Sequence, residues 1–161
     1  MKTFGWIVKV AAPALLFAGL ATAQTTASEN LACSNAILLG TYAFQITGQI
    51  LAPPPAAGPV AGVALTLFDG IGNLTQVDNV VHNGVAPVED WRPGTGTYTV
   101  NPNCTGTFTL TTQPSVASDA SPPLTVHFVV SRDGSQIRVG VTSSPASTAF
   151  MAAIVSIGIR L

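Results

Sequence analysis

Lysine is confined to positions 2 and 9, and the only other cations are Arg92, Arg132, Arg138 and Arg160. Nucleic acids and anionic lipid surfaces are held by clustered positive charge, so four scattered arginines argue against a phosphate-rich partner. Charged residues make up only 8% of the chain. The surface must therefore be covered largely by Thr, Ser, Asn, Gln and Gly, as where hydroxyl-rich strands face water. Histidine occurs only at 82 and 127, without a spacing such as His-x-His, so no metal site is expected. There is no Gly-x-Ser-x-Gly elbow for a nucleophilic serine. No glycine-rich loop leads into a helix, since Gly70 and Gly72 precede a strand pattern, and no cofactor is expected.

What is present begins with a targeting segment. Lys2 and Lys9 supply positive charge, an apolar stretch runs from Val10 to Ala21, and Ala21-Thr22-Ala23 offers small residues for cleavage before Gln24. Pro13 and Gly19 interrupt the stretch, and it falls short of the roughly 20 residues of a membrane-spanning helix. Residues 1–23 therefore read as a signal peptide and 24–161 as a single domain of a secreted or periplasmic protein, with no membrane span once the signal is removed. Leu31-Ala32-Cys33 resembles the end of a lipid-attachment box, but the polar segment Gln24–Asn30 separates it from the apolar run.

Cys33 thus reads as structural. In an oxidising compartment, Cys33 and Cys104 are expected to form a disulfide closing a loop of about 70 residues.

The remaining chain repeats runs of Thr, Val, Tyr, Phe, Ile and Leu broken by Gly, Pro, Asn or Asp. Eight strands are predicted near residues 38–50, 60–69, 73–83, 94–100, 105–113, 123–131, 135–143 and 148–161. Alternation puts Phe108 and Leu110 on one face of the fifth strand and threonines on the other. It does the same for Tyr42, Phe44 and Ile46, and for Leu124, Val126, Phe128 and Val130. Asp133-Gly134 marks a tight hairpin between strands six and seven. Sequential antiparallel strands escape exposed edges most economically by closing, which predicts an all-β, eight-stranded up-and-down barrel. A two-sheet β-sandwich is the alternative. Ala52–Pro59 and Gln113–Pro123 are expected to be mobile rim connections.

The segments Gly40-Thr41-Tyr42-Ala43-Phe44, Phe68-Asp69-Gly70-Ile71-Gly72-Asn73-Leu74-Thr75, Gly96–Gly106 and Asp133–Arg138 resemble small secreted bacterial β-barrel proteins of no assigned activity. Architecturally these are similar to the calycin and allene oxide cyclase-like barrels. The resemblance implies either an interior site for a small apolar ligand or an isomerase. Lipocalins proper carry Gly-x-Trp near the first strand, where this chain has Gly40-Thr41-Tyr42.

For a binding module, the expected ligand-facing residues are Tyr42, Phe44, Tyr98, Phe108 and Phe128, with Trp91 as an aromatic anchor at the rim. The candidates for acid–base chemistry are Asp78, His82 and Glu89. Asp78 and His82 share a strand face, about 13 Å apart at ~3.3 Å per residue, too far for a direct hydrogen bond. Because charged side chains of small β domains are mostly exposed, Asp78 and His82 are expected on the solvent face. Glu89-Asp90-Trp91-Arg92 is then a rim loop with Trp91 packed over the mouth. If that face turns inward, Asp78 and His82 can act on a bound ligand. His127 is expected at the surface, and Arg138 and Arg160 are expected to extend outward. Three roles follow: a binding module for a small apolar ligand or extracellular partner, an allene oxide cyclase-like isomerase, and a structural or adhesive surface protein with a filled barrel.

Overall fold

The structure is a computed structural model that describes residues 32–51, 54–55, 57–115, 123–142 and 152–161. The predicted signal peptide lies outside the described residues. Eight strands form in chain order: β1 (Gly40–Ile50), β2 (Gly58–Phe68), β3 (Asn73–His82), β4 (Arg92–Val100), β5 (Thr105–Thr112), β6 (Leu124–Val130), β7 (Gln136–Thr142) and β8 (Ala152–Arg160). Every strand pairs antiparallel with its neighbour in sequence, and β1 pairs with β8, from Tyr42↔Arg160 to Ile50↔Ala152. That last ladder closes the barrel and excludes the sandwich.

Several strand boundaries differ from those expected. Gly58 and Pro59 pair with Ile50 and Gln49 and belong to β2, not to the rim connection. Arg92 and Pro93 open β4, opposite Asp78 and Val77. After β3 the chain turns back through Asn83 and Gly84, both at positive φ, with His82 and Val85 exchanging backbone hydrogen bonds. Asn-Gly is a strong signal for such a turn.

The two ends of the barrel are unlike. Three short turns, 69–72, 101–104 and 131–135, lie at one end, and the longer connections lie at the other. The short-turn end is sealed. Ahead of β1, Asn35–Leu38 forms a 3-10 turn rather than the start of a strand, and Leu38 is fully buried. Asn35 fastens this turn: its Oδ1 accepts from the Val100 amide at 2.7 Å, and its carbonyl accepts from the Tyr98 hydroxyl at 3.2 Å. The Cys33–Cys104 disulfide, with Cα atoms 5.0 Å apart, joins the turn to the β4–β5 corner.

Below the seal, Phe68 is fully buried and organises the aromatic residues. Tyr42 and Tyr98 meet it edge to face, with ring centroids 5.4 and 5.0 Å away. Such pairs add about 0.5–1.5 kcal/mol each beyond area burial. Phe44 and Phe128 each lie over a glycine of the neighbouring strand, Gly158 and Gly106, where an added Cβ would strike the ring within 2.5 and 2.3 Å. Arg160 does not extend outward. It reaches over Tyr42, donating from Nη2 to the hydroxyl at 2.8 Å and to the Ile37 carbonyl. The Tyr42 hydroxyl in turn donates to the Gly134 carbonyl. Burial raises the Tyr42 pKa, and the Arg160 contact offsets only part of that rise.

The outer surface is two-sided. Threonines face outward from β4 and β5, as composition predicted. On β2 and β8, however, Val63, Leu65, Leu67, Val155, Ile157 and Ile159 are exposed.

Two turn carboxylates set an acid limit. Desolvation pushes the Asp69 pKa upward, but hydrogen bonds from the Asn73 side chain and from the Asn73, Ile71 and Gly72 amides outweigh it and bring it to about 2. Asp133 is lowered to about 2 by its hydrogen bonds with the Ser131 side chain and with the Ser135 amide and hydroxyl. Both lie below the roughly 3.9 of an unfolded aspartate. Their stabilisation is therefore present above about pH 4 and is lost as pH falls through about 2. Urea midpoints should drop between pH 5 and pH 2, and Asp69→Asn/Asp133→Asn should show a shallower drop. An equal drop in the variant would contradict the assignment.

Candidate functional site

Inward-facing positions are set by strand parity. On β3, Leu74 is buried in the core, so Gln76, Asp78, Val80 and His82 follow it to the inside. Asp78 is therefore not on the solvent face: it is 3% exposed. Its cross-strand partner on β4 is Arg92, which enters the barrel rather than the rim loop. Arg92 donates from Nε to Asp78 Oδ1 at 2.8 Å, and its second nitrogen, Nη2, lies 2.8 Å from the same oxygen. Gln76 Nε2 donates to Asp78 Oδ2 at 3.1 Å, and the buried Thr66 hydroxyl donates to Gln76 Oε1 at 3.0 Å. The result is a chain from Thr66 through Gln76 and Asp78 to Arg92. A buried carboxylate is tolerable because a guanidinium and an amide both donate to it.

This polar wall faces a cavity of about 250 Å³ in the half of the barrel toward the long connections. Phe44, Ile46, Leu110, Val126, Val139 and Ile154 form much of the remaining lining. The cavity exists because the aromatic residues are concentrated in the sealed half, while Ala64, Val80 and Val126 are too short to fill the other. His82 lines the cavity at the end of β3, and its Nε2 is buried with no hydrogen-bond partner among the described residues.

The candidate residues separate accordingly. Phe44, Phe108, Asp78 and His82 meet around the cavity. Tyr42, Tyr98 and Phe128 do not line it, because they are packed in the core of the sealed half. Glu89 is at the rim, where its Oε2 accepts from the Ser115 amide at 2.8 Å and ties two connections together. Trp91 is 53% exposed and is not among the cavity-lining residues. His127 is exposed on β6. Arg92, expected in the rim loop, is on the cavity wall, and Gln76 and its partner Thr66 were not among the expected site residues; strand parity and the Asp78↔Arg92 register carry the signal for them.

Among the described residues, no group of three or more His, Cys, Asp or Glu side chains could hold a metal ion. Among the same residues, no helix is long and apolar enough to cross a membrane. No family model matches the chain, and neither a curated protein nor a solved structure does.

Proposed function

We propose that this chain is a binding protein for a small, mostly apolar molecule held inside the barrel, acting outside the cytoplasm. The observation that carries the reading is the half-filled interior: about 250 Å³ left between apolar side chains and one self-satisfied polar wall. Interiors normally close-pack, so a void of this size forfeits dispersion contacts that a ligand would restore. Ligand sites are commonly apolar concavities with a few placed polar groups, from roughly 300 Å³ upward. The occupant is correspondingly small. A purely structural or adhesive role calls for no such cavity, so the interior favours the binding reading over it. The architecture supports the calycin-like expectation as a barrel, and fold alone does not carry activity. The Cys33–Cys104 pair fits an oxidising compartment.

Native mass spectrometry of the oxidised protein as purified from its secreting host, against the denatured mass, tests this. A loss of one to a few hundred daltons on denaturation is the expected result. Identical masses, with no mass gained on exposure to small hydrocarbons and alcohols, would count against it.

A second reading, an allene oxide cyclase-like isomerase, draws on Asp78 and His82 both facing the cavity. Asp78 is engaged by Arg92 and Gln76, which leaves His82 as the group able to reach a substrate. This reading predicts that the released molecule differs in bond arrangement, at unchanged mass, between wild type and His82→Phe.

A further inference from the structure

The binding reading leaves open what kind of molecule is held, and the polar atoms of the cavity narrow it. Among the described residues, Arg92 is the one arginine or lysine lining the cavity, and it is already paired with Asp78. A second anion would have to enter beside the Asp78 carboxylate, in surroundings where like charges repel strongly and shedding hydration is costly. A cation would meet an Asp78 whose two oxygens already accept hydrogen bonds from Arg92 and Gln76. The pair cancels in charge, so neither sign of ligand finds a counter-ion in it.

A hydrogen-bonding requirement nevertheless remains at one point. His82 Nε2 is buried without a partner among the described residues, and leaving a buried polar atom unmet is unfavourable. An imidazole nitrogen donates or accepts according to its tautomer. A carbonyl can satisfy only the donating form, and an ether only the same one. A hydroxyl both donates and accepts, so it satisfies either. His82 ends β3 at the long-connection end, while Phe44, Ala64 and Val126 lie deeper. We propose that the cavity selects a neutral aliphatic alcohol, with its hydroxyl on His82 Nε2 and its hydrocarbon against Phe44, Ala64 and Val126, in preference to a carboxylate. This rests on the binding reading and specifies its ligand class.

Calorimetric titration of the oxidised protein at pH 8 with 1-hexanol, hexanoate and hexane separates the two. The expected result is that hexanol binds about tenfold more tightly than either of the others, the worth of one satisfied buried hydrogen bond. His82→Phe, which keeps a ring and removes the nitrogens, should abolish the tenfold preference of hexanol over hexane, read as the ratio of the two affinities within the variant. Its circular dichroism and urea midpoint report separately that the variant is folded. Hexanoate equal to or tighter than hexanol would overturn the selection, as would hexanol equal to hexane in the wild type or the full preference for hexanol in His82→Phe; each leaves apolar binding standing. Binding of none of the three would instead remove the binding reading itself, and the selection with it. Should His82→Phe not fold, the order of the three probes on the wild type still decides.

Discussion

Replacing Arg92 with leucine should destabilise the barrel by about 3–5 kcal/mol, the range for stripping one partner from a buried ion pair. Asp78 is 3% exposed, and its carboxylate is held on the barrel wall by Arg92 and Gln76. Gln76 would be its only remaining side-chain donor among the hydrogen bonds described above. The double variant Asp78→Leu/Arg92→Leu should recover most of the loss, because it removes both charges and fills their space with hydrocarbon. Urea unfolding of the two single variants and the double variant gives the coupling directly. A loss below about 1 kcal/mol in Arg92→Leu would mean that Asp78 is solvated, and the polar wall would not exist in the form described.

The second large effect belongs to the sealed end. Cys33 and Cys104 are 71 positions apart in sequence, and on the chain-entropy account a bridge of that span contributes about 4 kcal/mol. Cys33→Ser/Cys104→Ser should therefore lower unfolding stability by about 2–5 kcal/mol. The loss should concentrate at the same end. The 3-10 turn carrying Leu38 and Asn35 is tied to the barrel at Val100 and Tyr98, with the Cys33 amide donating to the Pro102 carbonyl at 3.1 Å. Amide exchange should rise first at Val100 and Leu39 in the reduced form. Uniform exchange, with no local weakening near that turn, would show that the bridge constrains only the unfolded chain.

Strand existence and order were legible because the chain punctuates itself: Asp69-Gly70, Asn101-Pro102-Asn103 and Asp133-Gly134 each mark a sealed-end turn. Closure followed from physical economy, since eight antiparallel neighbours leave two edges unless the first meets the last. The facing of β3 was not legible. One of its faces carries Leu74, Gln76, Asp78, Val80 and His82, and the other Thr75, Val77, Asn79 and Val81, so composition gives neither a clear claim to the interior. Only pairing decides it: Leu74 is opposite Phe68 and Asp78 is opposite Ala64, both buried positions of β2. Phe68 was similarly hidden, because its strand, Gly58–Phe68, is apolar on both faces. The division of the barrel into a filled half and a hollow half arises from where the large rings stack, which no single strand reveals. Arg160 shows the same limit from the other side. An arginine next to the last residue, with an alternating strand before it, looks like a surface cation until Tyr42 and Ile37 are brought beneath it.

The central claim is that the hollow half of this barrel takes up a small apolar molecule. Titrating the oxidised protein with cyclohexane while following methyl resonances tests it most directly, since a cavity lined mainly by hydrocarbon admits such a probe. The predicted result is saturable shifts confined to interior methyls, Leu110, Val126, Val139 and Ile154, with the exterior methyls of Val63, Leu65, Val155 and Ile157 unmoved. Shifts on the exterior set alone, or none on either set up to the solubility of the probe, would contradict it.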